Sequence, residues 1–144
     1  TSNPGARDFE LQQVVQAEEI LEEGIHITKK QTLFLYESVL KTVARWGTPS
    51  NLMFVIGATR PHEFTRIRAL LPDHFFLVPG VGAQGGSLKD LSEKGLNREC
   101  GLLVNASRAV IYASAGEDFA DAAATVARSY AAEMDLYLPV TMHS

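Results

Sequence analysis

Cysteine is almost missing from this sequence, since Cys100 is the only one in 144 residues. A single cysteine cannot form a disulfide within the chain, and such scarcity is typical of a reducing compartment. Long apolar runs are missing as well: none approaches the roughly 20 residues of a transmembrane helix. No signal peptide is visible. These absences argue against a disulfide scaffold or a membrane protein, and they predict a cytoplasmic one.

Positive charge is also scarce, with 13 Lys and Arg against 17 Asp and Glu and a formal net charge of −4. A general nucleic-acid binder needs a basic face, so nucleic acid is not an expected partner. The length is sufficient for one domain with a core, and no linker divides it, so residues 1–144 are expected to form a single domain. The chain starts without methionine in a turn-forming TSNPG segment, which indicates that another segment precedes it.

The first third of the chain has mainly helical spacing. After a predicted loop at 1–6, the apolar positions within 8–23 predict an amphipathic helix that stops near Gly24. Residues 25–31 are ambiguous. Residues 32–46 predict a stronger helix, ended by Gly47 and Pro49.

A repeated pattern follows. Strands are predicted near 52–57, 75–79 and 101–105, with starts 23 and 26 residues apart, and helices are predicted at 62–71, 87–94 and 117–134. Because the runs are continuously apolar, both faces of the sheet should be buried. This order predicts parallel, adjacent strands with helices on one outer face. Three strands cannot close a barrel, so a flavodoxin-like sheet is an alternative, although only 25–27 or 109–112 could add strands to it.

Two segments after the predicted strands could bind an anion. The segment 79–87 follows the second strand and contains four glycines, Gly80, Gly82, Gly85 and Gly86, together with Gln84. Glycine lets backbone N–H groups approach an anion closely, and Arg108, after the third strand, could form paired hydrogen bonds with phosphate. Taken singly, the loop could be only a tight turn and Arg108 only a surface charge. Together they predict a phosphate site beyond the carboxyl ends of the strands.

Other candidates have simpler interpretations. His26, His62, His74 and His143 lack metal-ligand spacing, and His62 and His74 are expected at the surface. Cys100 is expected to be a buried, inert thiol. A solvated helix face is predicted for Glu18, Glu19, Glu22 and Glu23. A helix face that packs in the core is predicted for Val126, Tyr130 and Met134. No metal or cofactor is indicated.

Three segments together resemble orotidine 5'-phosphate decarboxylases, and more narrowly a bacterial subgroup of that family. They are FVIGAT at 54–59, VPGVGAQGG at 78–86 and GLLVNASRAVIYAS at 101–114. The TSNPG start resembles the segment that leaves barrel strand five. The resemblance implies that the chain is the C-terminal portion of a (β/α)8 barrel, about strands six to eight with their helices. Residues 10–31 align least clearly and are interpreted as a lineage-variable helical region.

The resemblance also implies roles for individual residues. Ser2 would hydrogen-bond the pyrimidine and Pro79 would line the pocket near the base. Gln84 and Arg108 would contact the phosphate, assisted by the backbone around Ser107. The implied ligands are orotidine and uridine monophosphate, and the implied partners are the N-terminal half of the same barrel and a second complete barrel in a homodimer.

One motif of the family is missing. Its chemistry depends on Asp-x-Lys-x-x-Asp at the end of strand three, and no such motif occurs in these residues. No catalytic residue is therefore predicted in this chain, which alone should be inactive. Two interpretations stay open: a piece of a decarboxylase, or a non-catalytic phosphate-binding or structural barrel fragment. A sugar-phosphate decarboxylase of the same superfamily is a third, which the TSNPG and NASRAVIYAS segments disfavour.

Overall fold

The computed structural model describes residue 5 and residues 7–58, 61–82 and 86–138. Ser2, Gln84, Gly85, His143 and most of the predicted loop at 1–6 lie outside these residues, as does the side chain of His62. The chain divides into two compact units, one within Asn3–Gly47 and one within Thr48–Ser144. Within the described residues, no helix is both long enough and apolar enough to cross a membrane.

The first unit is built on a β-hairpin. Its elements are α1 (Arg7–Glu10), β1 (Gln13–Glu22), β2 (Ile25–Phe34) and α2 (Leu35–Ala44). The strands pair antiparallel along their whole length, and the chain turns through Glu23 and Gly24, both with positive φ. The helix predicted for 8–23 is therefore wrong beyond α1, and the one predicted for 32–46 begins only at Leu35. The ambiguous segment 25–31 is strand.

Cross-strand pairing explains why the helical spacing misled. Ile20 lies opposite Ile27, and Val14 lies opposite Leu33. Such β-branched and aliphatic pairs stabilise an antiparallel ribbon, and their partners are distant in sequence, so a local pattern cannot reveal them. The glutamates at 18, 19 and 22 are exposed as predicted, but they lie on β1 and not on a helix.

The second unit confirms the predicted parallel sheet. Its elements in chain order are β3 (Phe54–Val55), α3 (Pro61–Leu70), β4 (Phe76–Pro79), α4 (Leu88–Gly95), β5 (Leu102–Asn105), α5 (Ser107–Ile111) and α6 (Phe119–Asp135). The strands lie in the order β3-β4-β5, all parallel. The apolar segment at 109–113, which could have been strand, instead forms the end of the short helix α5, up to Ile111, and the turn that follows it.

The two faces of this sheet differ. Side chains on one face are buried, and Phe76 packs edge-on against Phe64 of α3 with ring centroids 6.3 Å apart. On the other face, Val55 is 66% exposed and Leu103 is 54% exposed, with Leu77 between them half-buried. The expectation that both faces are buried is wrong for this chain, because its helices cover only one of them.

Three smaller expectations also need correction. His74 is buried, not at the surface, and its ring lies edge-on to Phe54 at 5.3 Å. Cys100 is half-buried and not buried, with its Sγ 3.6 Å from the carbonyl oxygen of Leu102. The predicted core stripe of α6, Val126, Tyr130 and Met134, is only half-buried.

Candidate functional site

The two segments predicted to bind phosphate leave the same edge of the sheet. Strands β4 and β5 are adjacent and parallel, and their last residues, Pro79 and Asn105, are paired. The glycine loop begins at Gly80, directly after β4, and Arg108 lies in the first turn of α5, directly after β5. Because parallel strands present their carboxyl ends at one edge, both segments start from neighbouring positions.

The described ends of the glycine loop are joined to each other. Val81 and Gly86 form an isolated parallel β-bridge, and the Gly82 N–H donates to the Gly86 carbonyl oxygen at 3.2 Å. Gly80 and Gly82 have φ values of 96° and 75°, a backbone region that residues with a side chain rarely adopt. The chain therefore leaves β4, turns and returns to its starting point within a few residues.

Close packing against the end of β3 anchors the loop. A methyl group on Gly86 would lie 2.6 Å from Ala58 Cβ and 2.9 Å from the Gly80 carbonyl oxygen, so only glycine fits there. Ala58 is itself buried, and its N–H donates to the carbonyl oxygen of Pro79 at 3.0 Å. The sequence analysis noted Ala58 only as part of the FVIGAT segment after a predicted strand and predicted no packing role for it.

On the neighbouring strand, the chain enters α5 through a local hydrogen bond. The Ser107 hydroxyl donates to Asn105 Oδ1 at 2.7 Å. Both residues and Arg108 are exposed. The Ser107 side chain is therefore engaged with Asn105 at the start of α5.

The structure brings the two predicted segments together. An ideal Cβ on Gly82 would lie 3.5 Å from the Cβ of Ala109, the residue that follows Arg108. The glycine loop and the first turn of α5, which bears Arg108, therefore meet at the carboxyl ends of β4 and β5. Backbone N–H groups of such a loop and an arginine side chain are the kinds of donor that bind an oxyanion such as phosphate. Pro79 is exposed at the same edge.

A surface cleft of about 310 Å³ is lined by Asp73, Asn97, Arg98 and Glu99. These residues precede β4 and β5, so the cleft lies toward the amino ends of the strands. In barrel enzymes the active site lies at the opposite, carboxyl ends, and residues at the amino ends contribute to stability. No group of three or more His, Cys, Asp or Glu side chains in the described ranges could hold a metal ion.

Successive β/α units with parallel strands, covered by helices on one face and carrying a glycine-rich loop at their carboxyl ends, define a segment of a (β/α)8 barrel. The sequence and fold comparisons agree. The chain is 42% identical over 135 residues to the orotidine 5'-phosphate decarboxylase of Phocaeicola vulgatus, a match that covers 94% of this chain. It corresponds to a part of the orotidine 5'-phosphate decarboxylases, as the three sequence segments indicated.

Solved structures give the same result. The UMP synthase of Leishmania donovani superposes with a TM-score of 0.67 and 33% identity, covering 93% of this chain and 26% of that protein. The OMP decarboxylase of the same organism gives a TM-score of 0.64 and 30% identity, covering 92% of this chain and 45% of that one. The chain spans about 44% of the length of the curated relatives it matches. No family model matches it.

Proposed function

We propose that this chain supplies the phosphate-binding part, and some of the pyrimidine-binding part, of an orotidine 5'-phosphate decarboxylase. The complete enzyme would convert orotidine monophosphate to uridine monophosphate and CO2 in de novo pyrimidine biosynthesis. The observation that carries the proposal is the approach of Gly82 to Ala109, which places the glycine loop beside the helix that bears Arg108. The relatives that are named decarboxylases support the choice of reaction.

In this proposal the phosphate lies between the loop and α5. Gly80, Gly82, Gly85 and Gly86 would form the loop that surrounds it, and Gln84, Arg108 and the backbone at Ser107 would complete the shell. Arginine suits this role because its planar fork can donate two parallel hydrogen bonds to one phosphate. Ser2 and Pro79 would contact the pyrimidine.

The bond-breaking chemistry is assigned outside these residues. During decarboxylation the bond between C6 and the carboxylate breaks, CO2 leaves, and the electron pair that stays on C6 takes up a proton. The lysine and aspartates of Asp-x-Lys-x-x-Asp would supply that proton and the charged network, and no such motif is present here. This chain would act through binding, since energy from the remote phosphate can be used to stabilise the transition state at C6.

The uncovered sheet face supports the partner that the proposal requires. Val55, Leu77 and Leu103 lie side by side across the three strands, on the face away from α3 and α4. A closed barrel would turn this face inward, where the remaining strands cover it. We therefore propose that residues 1–144 form one partial barrel domain completed by the N-terminal half, and that complete barrels act as cytoplasmic homodimers.

Arg108→Ala in the complete barrel tests the phosphate assignment. The substitution should weaken uridine monophosphate binding by about 1.5–3 kcal/mol, the range for a hydrogen bond to a charged group. It should barely change the binding of uridine, which has no phosphate. Calorimetry with both ligands measures the difference, and equal losses for the two would contradict the assignment.

The second candidate function is a phosphate-binding barrel piece without catalysis, favoured by the absence of the lysine motif. Residues 1–144 alone should not turn over orotidine 5'-phosphate, whose absorbance loss reports the reaction. Adding the N-terminal segment of a relative that bears Asp-x-Lys-x-x-Asp should restore turnover if the chain is part of a decarboxylase. If that reconstituted barrel binds the phosphate ligand without turnover, the second candidate is favoured. Turnover by residues 1–144 alone would show that the catalytic residues lie within this chain and not outside it.

A further inference from the structure

Tyr130 on α6 reaches the phosphate loop, although its spacing on the helix predicted only a core position. A methyl group on Gly82 would overlap the Tyr130 hydroxyl, and it would lie 3.3 Å from the ring carbon that bears this hydroxyl. The same methyl group would lie 3.5 Å from Ala109 Cβ. The tyrosine hydroxyl therefore occupies the place next to Gly82 where any other residue would have its side chain, beside α5.

The helix that carries Tyr130 is well placed to support the loop. At 17 residues, α6 is the longest helix among the described residues, and it packs against both α4 and α5. The loop itself contains four glycines between 80 and 86, which gives its backbone unusual conformational freedom. A firm contact at Gly82 removes part of that freedom at the residue where φ is 75° and the chain turns.

From this geometry we infer that Tyr130 is a positioning residue of the phosphate site. Its hydroxyl end holds Gly82 at a fixed distance from α5, so that the loop backbone and Arg108 face the same ligand. This inference rests on the proposed phosphate site and adds a residue to it that does not itself touch the ligand. Because oxyanion recognition depends on donors placed to within a fraction of an ångström, loss of the contact reduces affinity without removing any donor.

Tyr130→Phe is the informative substitution, since it keeps the half-buried ring and removes only the group that meets Gly82. In the complete barrel, uridine monophosphate should bind on the order of tenfold more weakly to this variant. Uridine should bind as before, and the midpoint of thermal unfolding should stay unchanged. Tyr137→Phe is the matched control, because it removes the same hydroxyl just beyond the end of α6 and should alter neither affinity.

A double-mutant cycle with Gly82→Ala separates positioning from general packing. Gly82→Ala introduces a methyl group that collides with the tyrosine hydroxyl, and the positive φ adds strain. If Tyr130 sets the loop position, Gly82→Ala/Tyr130→Phe should bind uridine monophosphate more tightly than Gly82→Ala alone, because the collision with the hydroxyl is removed and only the strain of the positive φ is left. Independent, additive losses in the double variant would overturn the inference.

The outcomes distinguish this inference from the function on which it rests. If Arg108→Ala weakens nucleotide and nucleoside binding equally, the phosphate site itself is wrong. If Arg108→Ala behaves as expected but Tyr130→Phe binds uridine monophosphate like the unmodified protein, only the role of Tyr130 is wrong. Loss of uridine binding or of thermal stability in Tyr130→Phe would also count against it, since positioning of the phosphate loop affects the phosphorylated ligand alone.

Discussion

The guanidinium of Arg68 lies over the ring of Phe76, with its central carbon 3.8 Å from the ring centroid. From this position it donates to the carbonyl oxygens of Gly95, His74 and Gly101 at 2.8, 2.7 and 3.0 Å. One side chain of α3 therefore joins the end of α4 to the residues that precede β4 and β5. Burial lowers the pKa of Arg68 to about 10, so it stays charged at neutral pH.

Removing this side chain should destabilise the sheet. We expect Arg68→Leu to lower the free energy of unfolding by about 2–4 kcal/mol, because buried carbonyl oxygens lose their donors. Arg68→Lys should recover only part of this loss, since an ammonium group has no planar fork. Urea unfolding measures both. Arg98→Leu, at an exposed position of the same unit, should change stability by less than about 0.5 kcal/mol, and a similar loss there would contradict the special role of Arg68.

His74 should make stability depend on pH. It is buried, and neither ring nitrogen has a hydrogen-bond partner among the described residues. Burial lowers its pKa below the ordinary value of 6.5; nearby Asp73 opposes the shift and Arg68 adds to it. A lowered pKa in the folded state means that the unfolded state binds the proton more readily. Stability is therefore complete above pH 6.5 and falls as the pH decreases toward the folded-state pKa.

Replacing His74 tests this dependence. His74→Leu should flatten the fall in unfolding free energy between about pH 7.5 and pH 5, because the titrating group is gone. His26→Leu, at an exposed position on β2, should leave the fall unchanged. Urea unfolding across this pH range measures the slope, and an equally steep fall in His74→Leu would assign the dependence to other groups.

Gly86→Ala should disrupt the loop by crowding. The added methyl group would press on Ala58 and on the carbonyl oxygen of Gly80, and overpacking of this kind costs about 1–3 kcal/mol. We expect weaker binding of uridine monophosphate in the complete barrel, with uridine less affected. Gly24→Ala is a useful control, because Gly24 has a φ of 81° with open space around it. That variant should strain the hairpin turn and leave the nucleotide affinity unchanged.

The uncovered sheet face predicts the behaviour of the isolated chain. Leu103→Ser should reduce self-association of residues 1–144, measured by analytical ultracentrifugation, because it removes an exposed apolar side chain from that face. It should also weaken reconstitution with an N-terminal barrel segment. Leu136→Ser changes a leucine that is 80% exposed just beyond α6. If it reduced reconstitution as strongly, the sheet face would not be the assembly surface.

The local spacing of apolar residues was sufficient to predict the parallel sheet and insufficient to predict the hairpin. The runs at β3, β4 and β5 are short, apolar and separated by helical spacing, and each of these signals is carried by neighbouring residues. In β1 and β2 the deciding interactions are cross-strand pairs such as Ile20 with Ile27. Those pairs form only when the chain has turned at Gly24, so the residues of 13–22 considered alone were equally compatible with a helix.

For the candidate site, the sequence by itself determined the residue types: glycines after one strand, Arg108 after the next, and no Asp-x-Lys-x-x-Asp. Only the tertiary structure decided which groups meet. It placed Gly82 beside Ala109 and under the hydroxyl of Tyr130, and it buried His74 beneath Phe54. These contacts join residues far apart in sequence through helix packing on the sheet. Their distances are fixed by three-dimensional packing, which the spacing of residue types along the chain does not encode.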